Sequence, residues 1–328
     1  MSEKDSIQKR IENRNLGFWI FLGIMMSWPI FYPNPYYLNV MIFTGINTLV
    51  ATGLNLLFGY AGQISMGHAT FLGIGAYCSA FFTVKLGWNP WLGFLIGVLI
   101  TSLFSFLIGL PSLKLRGYYL AMATLAFGII METFFVELKS ITGGPDGIGG
   151  IPALSLFGFK FHTDLRYYYL VWVIVACLTL LVINLVNSRA GRGMRALHES
   201  ELAASVLGIN TFRYKLAIFI FSAIYASIGG SLFAHYITHI TPESFSIMHS
   251  ILIVVMVIIG GMGKIWGPLL GAGIMTILPE TLRAFEVYHE IAYGLILVLI
   301  MIYFTDGVAG ALNFVFKKIP FFNKKLIS

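Results

Sequence analysis

What this sequence most lacks is charge. Of 328 residues, 21 are basic and 14 acidic, so 11% are charged, against about 25% in an ordinary soluble domain. That is too little to clothe a water-soluble fold of this length. With 58% apolar residues and a mean hydropathy of +0.84, the chain is excluded from the soluble enzymes, the nucleic-acid binders and the disordered proteins. Cysteine is nearly missing too. Cys78 and Cys177 both fall in apolar windows, which rules out a disulfide framework or a zinc pattern and leaves small buried hydrophobes. A phosphate-binding loop is absent. The nearest approach, Gly263-Lys264, has Ile258 where the first glycine belongs and Ile265 in place of Ser or Thr. The ten-residue alternations of a membrane barrel do not occur either.

What is present is long apolar sequence. Residues 15–84 contain no Asp, Glu, Lys or Arg. One crossing takes about 20 residues, so this stretch alone has room for three. Within lipid the backbone must pair inside its own segment, which predicts helices. The fold class is an all-α polytopic membrane protein with about ten spans: 16–32, 38–58, 66–84, 91–110, 118–136, 167–186, 216–236, 250–261, 267–282 and 291–305. The count becomes eight if the short segments near 250–282 form one re-entrant hairpin. Residues 1–15 read as a cytoplasmic tail, 16–305 as the membrane domain and 306–328 as a second cytoplasmic tail. With both ends inside, 16 basic residues fall on the cytoplasmic face and 5 on the other, as the positive-inside rule requires. Spread along one face, these cations suit a membrane surface and not a nucleic-acid groove. Trp28, Tyr32, Tyr36, Tyr37, Trp88, Trp91, Tyr167, Tyr168 and Tyr169 lie at span ends, where aromatics anchor to lipid headgroups.

Three regions interrupt the apolar pattern. Residues 53–77 carry six glycines together with Asn55, Gln63, Ser65, His68 and Thr70. Glycine allows an unwound turn at membrane depth where it lines protein or a watered cavity, and broken helices build transporter sites. The five polar residues are therefore candidates for a solute path, beside the plainer reading of a tight helix crossing. Residues 259–273, again glycine-rich, predict a chain turning in or near the bilayer. The loop 188–215 mixes both charges. Within it 194–207 predict one short amphipathic helix, with Met194, Leu197, Leu202, Val206 and Leu207 on its apolar side, an Arg195–Glu199 pair and Gly208 as C-cap. It reads either as a linker lying on the lipid surface or as a dock for a cytosolic partner. The outer segments 137–166 and 237–249 read as ordinary connections or as landing sites for an external partner. Glu132, the one acid well inside a span, together with His68, His235 and Glu280, reads as structural or functional.

Six segments taken in order resemble one family: GLNLLFGYAGQISMGHATFLGIGAY (53–77), LPSLKLRGYYLAMATLAFGII (110–130), ITGGPDGIGGIP (141–152), SRAGRGMRALHESELAASVLGIN (188–210), KLAIFIFSAIYASIGGSLFAHY (215–236) and GGMGKIWGPLLGAGIMTILPETLR (260–283). They are similar to the permease subunits of branched-chain amino acid ABC importers, of the LivM type. The resemblance implies a bacterial inner-membrane subunit without cofactor or ATPase activity of its own. It implies a sister permease, two cytosolic ATPase subunits and an extracytoplasmic binding protein. It also implies that Arg195, Glu199, Glu201, Ala203, Ala204 and Gly208 form the ATPase-coupling motif. His198 departs from the arginine common there, which puts one polar contact of the motif in doubt. The nearest alternative is the same machine carrying urea or a short amide. An ion-coupled secondary carrier and an intramembrane enzyme are the other classes, and the scattered candidates for nucleophile and base argue against the last.

Overall fold

The computed structural model describes residues 18, 19, 21–156, 158–282 and 289–311. The N-terminal tail, Arg283 and the C-terminal lysines of the charge count lie outside the described residues.

Local sequence sets the helix starts. Asn34 and Asn89 each precede a proline and accept a hydrogen bond from the backbone two residues on, at Tyr36 and Trp91. Proline at the first helical position forfeits no hydrogen bond, and the asparagine satisfies one of the free N–H groups behind it. The helices are α1 (Phe21–Phe31), α2 (Pro35–Asn55), α3 (His68–Val84), α4 (Pro90–Ser112), α5 (Tyr118–Glu137) and α6 (Asp164–Asn187). Two short ones follow, α7 (Arg189–Glu199) and α8 (Glu201–Val206). The last are α9 (Thr211–Ile237), α10 (Ile247–Gly260), α11 (Gly267–Leu282) and α12 (His289–Tyr303). A helix thus occupies each of the ten apolar segments. Among the described residues, six helical stretches are long and apolar enough to cross a membrane: α2 with the turn after it, α4, α5, α6, α9, and α10 counted from Pro242. The chain is an all-α polytopic membrane protein.

The centre of the bundle is α9, which packs on α2, α3 and α4. Between apolar helices in lipid, attraction comes from close packing, so small residues mark the crossings. At Gly230 a Cβ would stand 1.9 Å from the Leu72 carbonyl oxygen, so only glycine permits this approach of α9 to α3. Around this pair, α2 packs on α6 and α11, and α10 packs on α11. By contrast α5 stands partly off the bundle, with only Leu120, Ala121, Thr124, Gly128 and Phe135 buried.

Polar side chains sew the bundle. Tyr167 and Tyr168, read from sequence as interfacial anchors, are instead buried. Their hydroxyls donate to the carbonyls of Leu232 and Met25, both at 2.6 Å, and so tie α6 to α9 and α1. Consecutive helical residues point about 100° apart, so a run of three tyrosines cannot all face lipid, and two of them turn into the bundle. At the end of the bundle carrying Lys85 and Lys139, the two predicted outer loops meet: Ile148 pairs with Ile240 and Gly149 with His239 in a short antiparallel ladder. The 143–147 cluster is a turn as its composition predicts, with Gly143, Gly144 and Gly147 all at positive φ.

Candidate functional site

The glycine-rich stretch after α2 breaks as its sequence predicts. The last turns widen into a π-helical turn, Leu56–Tyr60. Residues 61–67 leave the helix, and α3 starts again at His68. Four elements hold this break. Asn55 clasps the α10–α11 turn, accepting from the Gly263 N–H at 2.9 Å and donating to the Lys264 carbonyl at 3.0 Å. His68 reaches the Ser222 hydroxyl of α9 through Nε2, at 2.6 Å, and Ser65 through Nδ1, at 3.3 Å. The Met66 N–H donates to Thr124 of α5, and the Ala69 N–H donates to Ser250 of α10, both at 3.0 Å. Thr70 is buried beside them. Gln63 differs: it is 4% exposed, and neither end of its amide meets a partner among the described residues. Leaving both a donor and an acceptor unmet in a buried place costs roughly 1–3 kcal/mol for each.

The loop 188–215 folds as an elbow. Instead of one helix over 194–207 there are two, because Ser200 turns to an extended conformation and caps the second by accepting from the Ala203 N–H. The expected apolar side is thereby split. Met194 and Leu197 of α7 are buried, whereas Leu202 and Val206 of α8 and its C-cap Leu207 are 72%, 79% and 76% exposed. Arg195 and Glu199 make no ion pair with each other among the described residues. Gly208, at φ 80°, closes α8 by a Schellman turn: its own N–H donates to Ser205 and the Ile209 N–H to Ala204. Ala203 and Glu199 face outward, and Ala204 is buried, seating α8 on its own chain.

Glu201 is the pin of the elbow. Its carboxylate lies 2.8 Å from Lys215 at the start of α9 and 3.5 Å from Arg116 in the α4–α5 turn. Partial burial opposes ionisation, but the hydrogen bond and charge of Lys215, then Arg116, outweigh it and hold the carboxyl below its usual range. The other anchor is His198. Gly62 of the break has φ +67°, and a Cβ there would come within 2.9 Å of the His198 ring. The elbow therefore touches the break directly. Glu201 was read from sequence, but Lys215 and Arg116 were not assigned to it. Their charges were visible, and the folding that joins positions 116, 201 and 215 was not.

The other ionisable groups have structural partners. Glu132 accepts from the Ile247 N–H at 3.3 Å, capping α10 from α5. His235 faces the Pro152 carbonyl through Nδ1, at 2.7 Å, and Ser79 through Nε2, at 2.8 Å. A carbonyl only accepts, so Nδ1 carries the proton and Nε2 accepts from Ser79. Glu280 accepts from the Tyr36 hydroxyl. Among the described residues no group of three His, Cys, Asp or Glu side chains is placed to hold a metal.

A bundle of apolar helices with a glycine-broken helix inside and a charged elbow against the break is the architecture expected of a polytopic membrane permease. The comparisons agree. Residues 36–305 match the family described as branched-chain amino acid transport system / permease component, and the chain belongs to that family. It is similar to the high-affinity branched-chain amino acid permease LivM of Salmonella typhimurium, 33% identical over 318 residues, 90% of this chain and 75% of that one. It is similar also to the permease LivH of the same organism, 26% identical over 271 residues, covering 77% and 87%. A nucleoside ABC transporter permease of Lactococcus lactis, NupC, is 28% identical over 192 residues, 54% and 60%. No solved structure matches. The chain is a multi-pass protein of the inner-membrane type.

Proposed function

We propose that this chain is one of two membrane-spanning subunits of an ABC importer for leucine, isoleucine and valine in a bacterial inner membrane. It crosses ten times with both ends in the cytosol. A LivH-like sister permease completes the pathway, two cytosolic ATPase subunits drive it, and an extracytoplasmic binding protein delivers the cargo to the face formed by the paired outer loops. The relatives' names support the cargo, since LivM and LivH permeases both serve branched-chain amino acids.

The observation that carries this reading is the elbow. Three large apolar side chains exposed on a six-residue helix and its C-cap, with Glu199 and Ala203 beside them, make a knob that none of the described residues covers. The knob is pinned at its base by Glu201 and rests through His198 on the helix break. Movement of the knob must therefore shift the break. ATP bound by the partner can drive transport only by favouring one of two states, and the knob is where that difference in free energy enters. Arg195, on α7, is exposed as well. In the break, Asn55, Ser65, His68 and Thr70 hold the resting geometry, and Gln63 finds its partners when the geometry changes.

The test is association. Glu199→Lys with Ala203→Arg changes only outward-facing positions, so the chain inserts and folds but no longer co-purifies with the ATPase subunits. Retained co-purification and uptake would refute the elbow's role. Uptake of labelled leucine, urea and a nucleoside in cells lacking the chain decides the cargo. Loss confined to urea or to the nucleoside would reject the branched-chain assignment.

A further inference from the structure

A cavity of about 500 Å³ opens at the end of the bundle where α2 begins and α11 ends, within the roughly 300–1,000 Å³ usual for small-molecule sites. The solute-path candidates Asn55, Gln63, Ser65, His68 and Thr70 do not line it. One wall is polar. Asn39 and Asn47 lie on the same face of α2, opposite Thr276 of α11 and His249 of α10. The Asn47 amide donates to the Thr276 hydroxyl at 3.1 Å, and the Asn39 amide donates to the Tyr236 hydroxyl at 2.9 Å. The rest of the lining is mostly apolar, with Ile46, Leu72, Leu252, Met256 and Met275 beside the rings of Phe43 and Phe233, and Glu280 lines it near the end of α11. Asn47 lies twelve residues into α2, about 18 Å below its first turn at 1.5 Å per residue. That depth is past the middle of a hydrocarbon core about 30 Å thick.

We infer that this cavity is the outer waiting site for the cargo, a small zwitterion with an aliphatic tail. The inference rests on the importer reading above and adds the place and the recognition chemistry. Amide and hydroxyl groups side by side offer donors and acceptors together, which suits an ammonium and a carboxylate held one carbon apart. They do so without placing a fixed charge at mid-membrane, where one is costly. The apolar part of the lining then takes the branched side chain. That part also has a mechanical meaning. Leu72 sits one turn above His68, and its carbonyl is the contact point with Gly230. Leu72 brings α3 into the cavity lining, and α3 is the segment that begins at the break on which His198 rests. Shifting the break moves this part of the lining, so the elbow and the waiting site are joined through one element.

The experiment uses the complete transporter in vesicles, with Cys78→Ala and Cys177→Ala as background and either Asn47→Cys or Thr276→Cys added. A small polar thiol reagent is applied from outside, with and without leucine or a nucleoside. The inference predicts labelling at both positions, slowed saturably by leucine and not by the nucleoside. It also predicts that Asn47→Leu with Thr276→Val raises the KM for leucine by about tenfold, the equivalent of one hydrogen bond. No labelling at either position overturns the site, because the cavity must open outward. Labelling untouched by leucine, in a background that transports leucine, overturns it while leaving the importer reading standing. Protection by the nucleoside alone overturns the zwitterion. A background that transports no leucine sinks the importer reading first.

Discussion

At the scale of the residue, two side chains carry opposite consequences. Glu201 is bound by Lys215, which is 8% exposed, so Glu201→Gln leaves a nearly buried cation without its anion. The loss should be on the order of 2 kcal/mol, less than for a fully buried pair because Arg116 and water share the site. Its sign with pH follows from the carboxyl's depressed pKa. The stabilisation is complete at neutral pH and fades as pH falls below the ordinary 4.5 through the folded-state value. Detergent unfolding of wild type and Glu201→Gln should therefore differ most near pH 7 and converge in acid; a gap that widens in acid would contradict the pin. Gln63 is the reverse case. Replacing its unpartnered amide by leucine relieves an unmet donor and acceptor, so Gln63→Leu should raise the unfolding temperature and slow uptake in the assembled transporter. A variant both less stable and fully active would remove Gln63 from the account.

The element scale shows how far the sequence could be read. Helices lie in all ten apolar segments because the bilayer leaves the backbone no other way to pair, and that constraint is written in hydropathy alone. The break at 61–67 was legible from its glycines and polar residues, and so was the Gly208 cap. Three things were not. The bend at Ser200 was hidden because 194–207 keeps helical periodicity throughout, and only a serine cap competing with helix propagation separates α7 from α8. The inward turn of Tyr167 and Tyr168 depends on which face of α6 meets α9. The polar cavity joins Asn39 and Asn47 to Thr276 across more than 200 positions, a distance no local pattern spans. Glycines make the same point testable. Gly230→Ala forces α9 away from α3 and should lower the unfolding temperature sharply. Gly273→Ala in α11, where a Cβ meets nothing within 4 Å, should be neutral or gain up to about 1 kcal/mol from helix propensity. Equal effects would deny that the α9–α3 crossing is the tight core of the bundle.

At the scale of the whole molecule, the proposed reading makes the chain a gate driven by other subunits. The cavity reaches Leu72 of α3, α3 begins at the break, and the elbow rests against the break. Each contact in that series is short and specific: Leu72 on Gly230, Asn55 on Gly263 and Lys264, His198 on Gly62. The sequence carries no phosphate-binding loop, and on the proposed reading the work enters through the exposed side chains of α8. The most direct measurement is accumulation of labelled leucine in vesicles holding either this chain alone under an ion gradient or the chain with its co-purified partners and ATP. The account predicts uphill accumulation only in the second preparation. Sustained accumulation by the chain alone would contradict it.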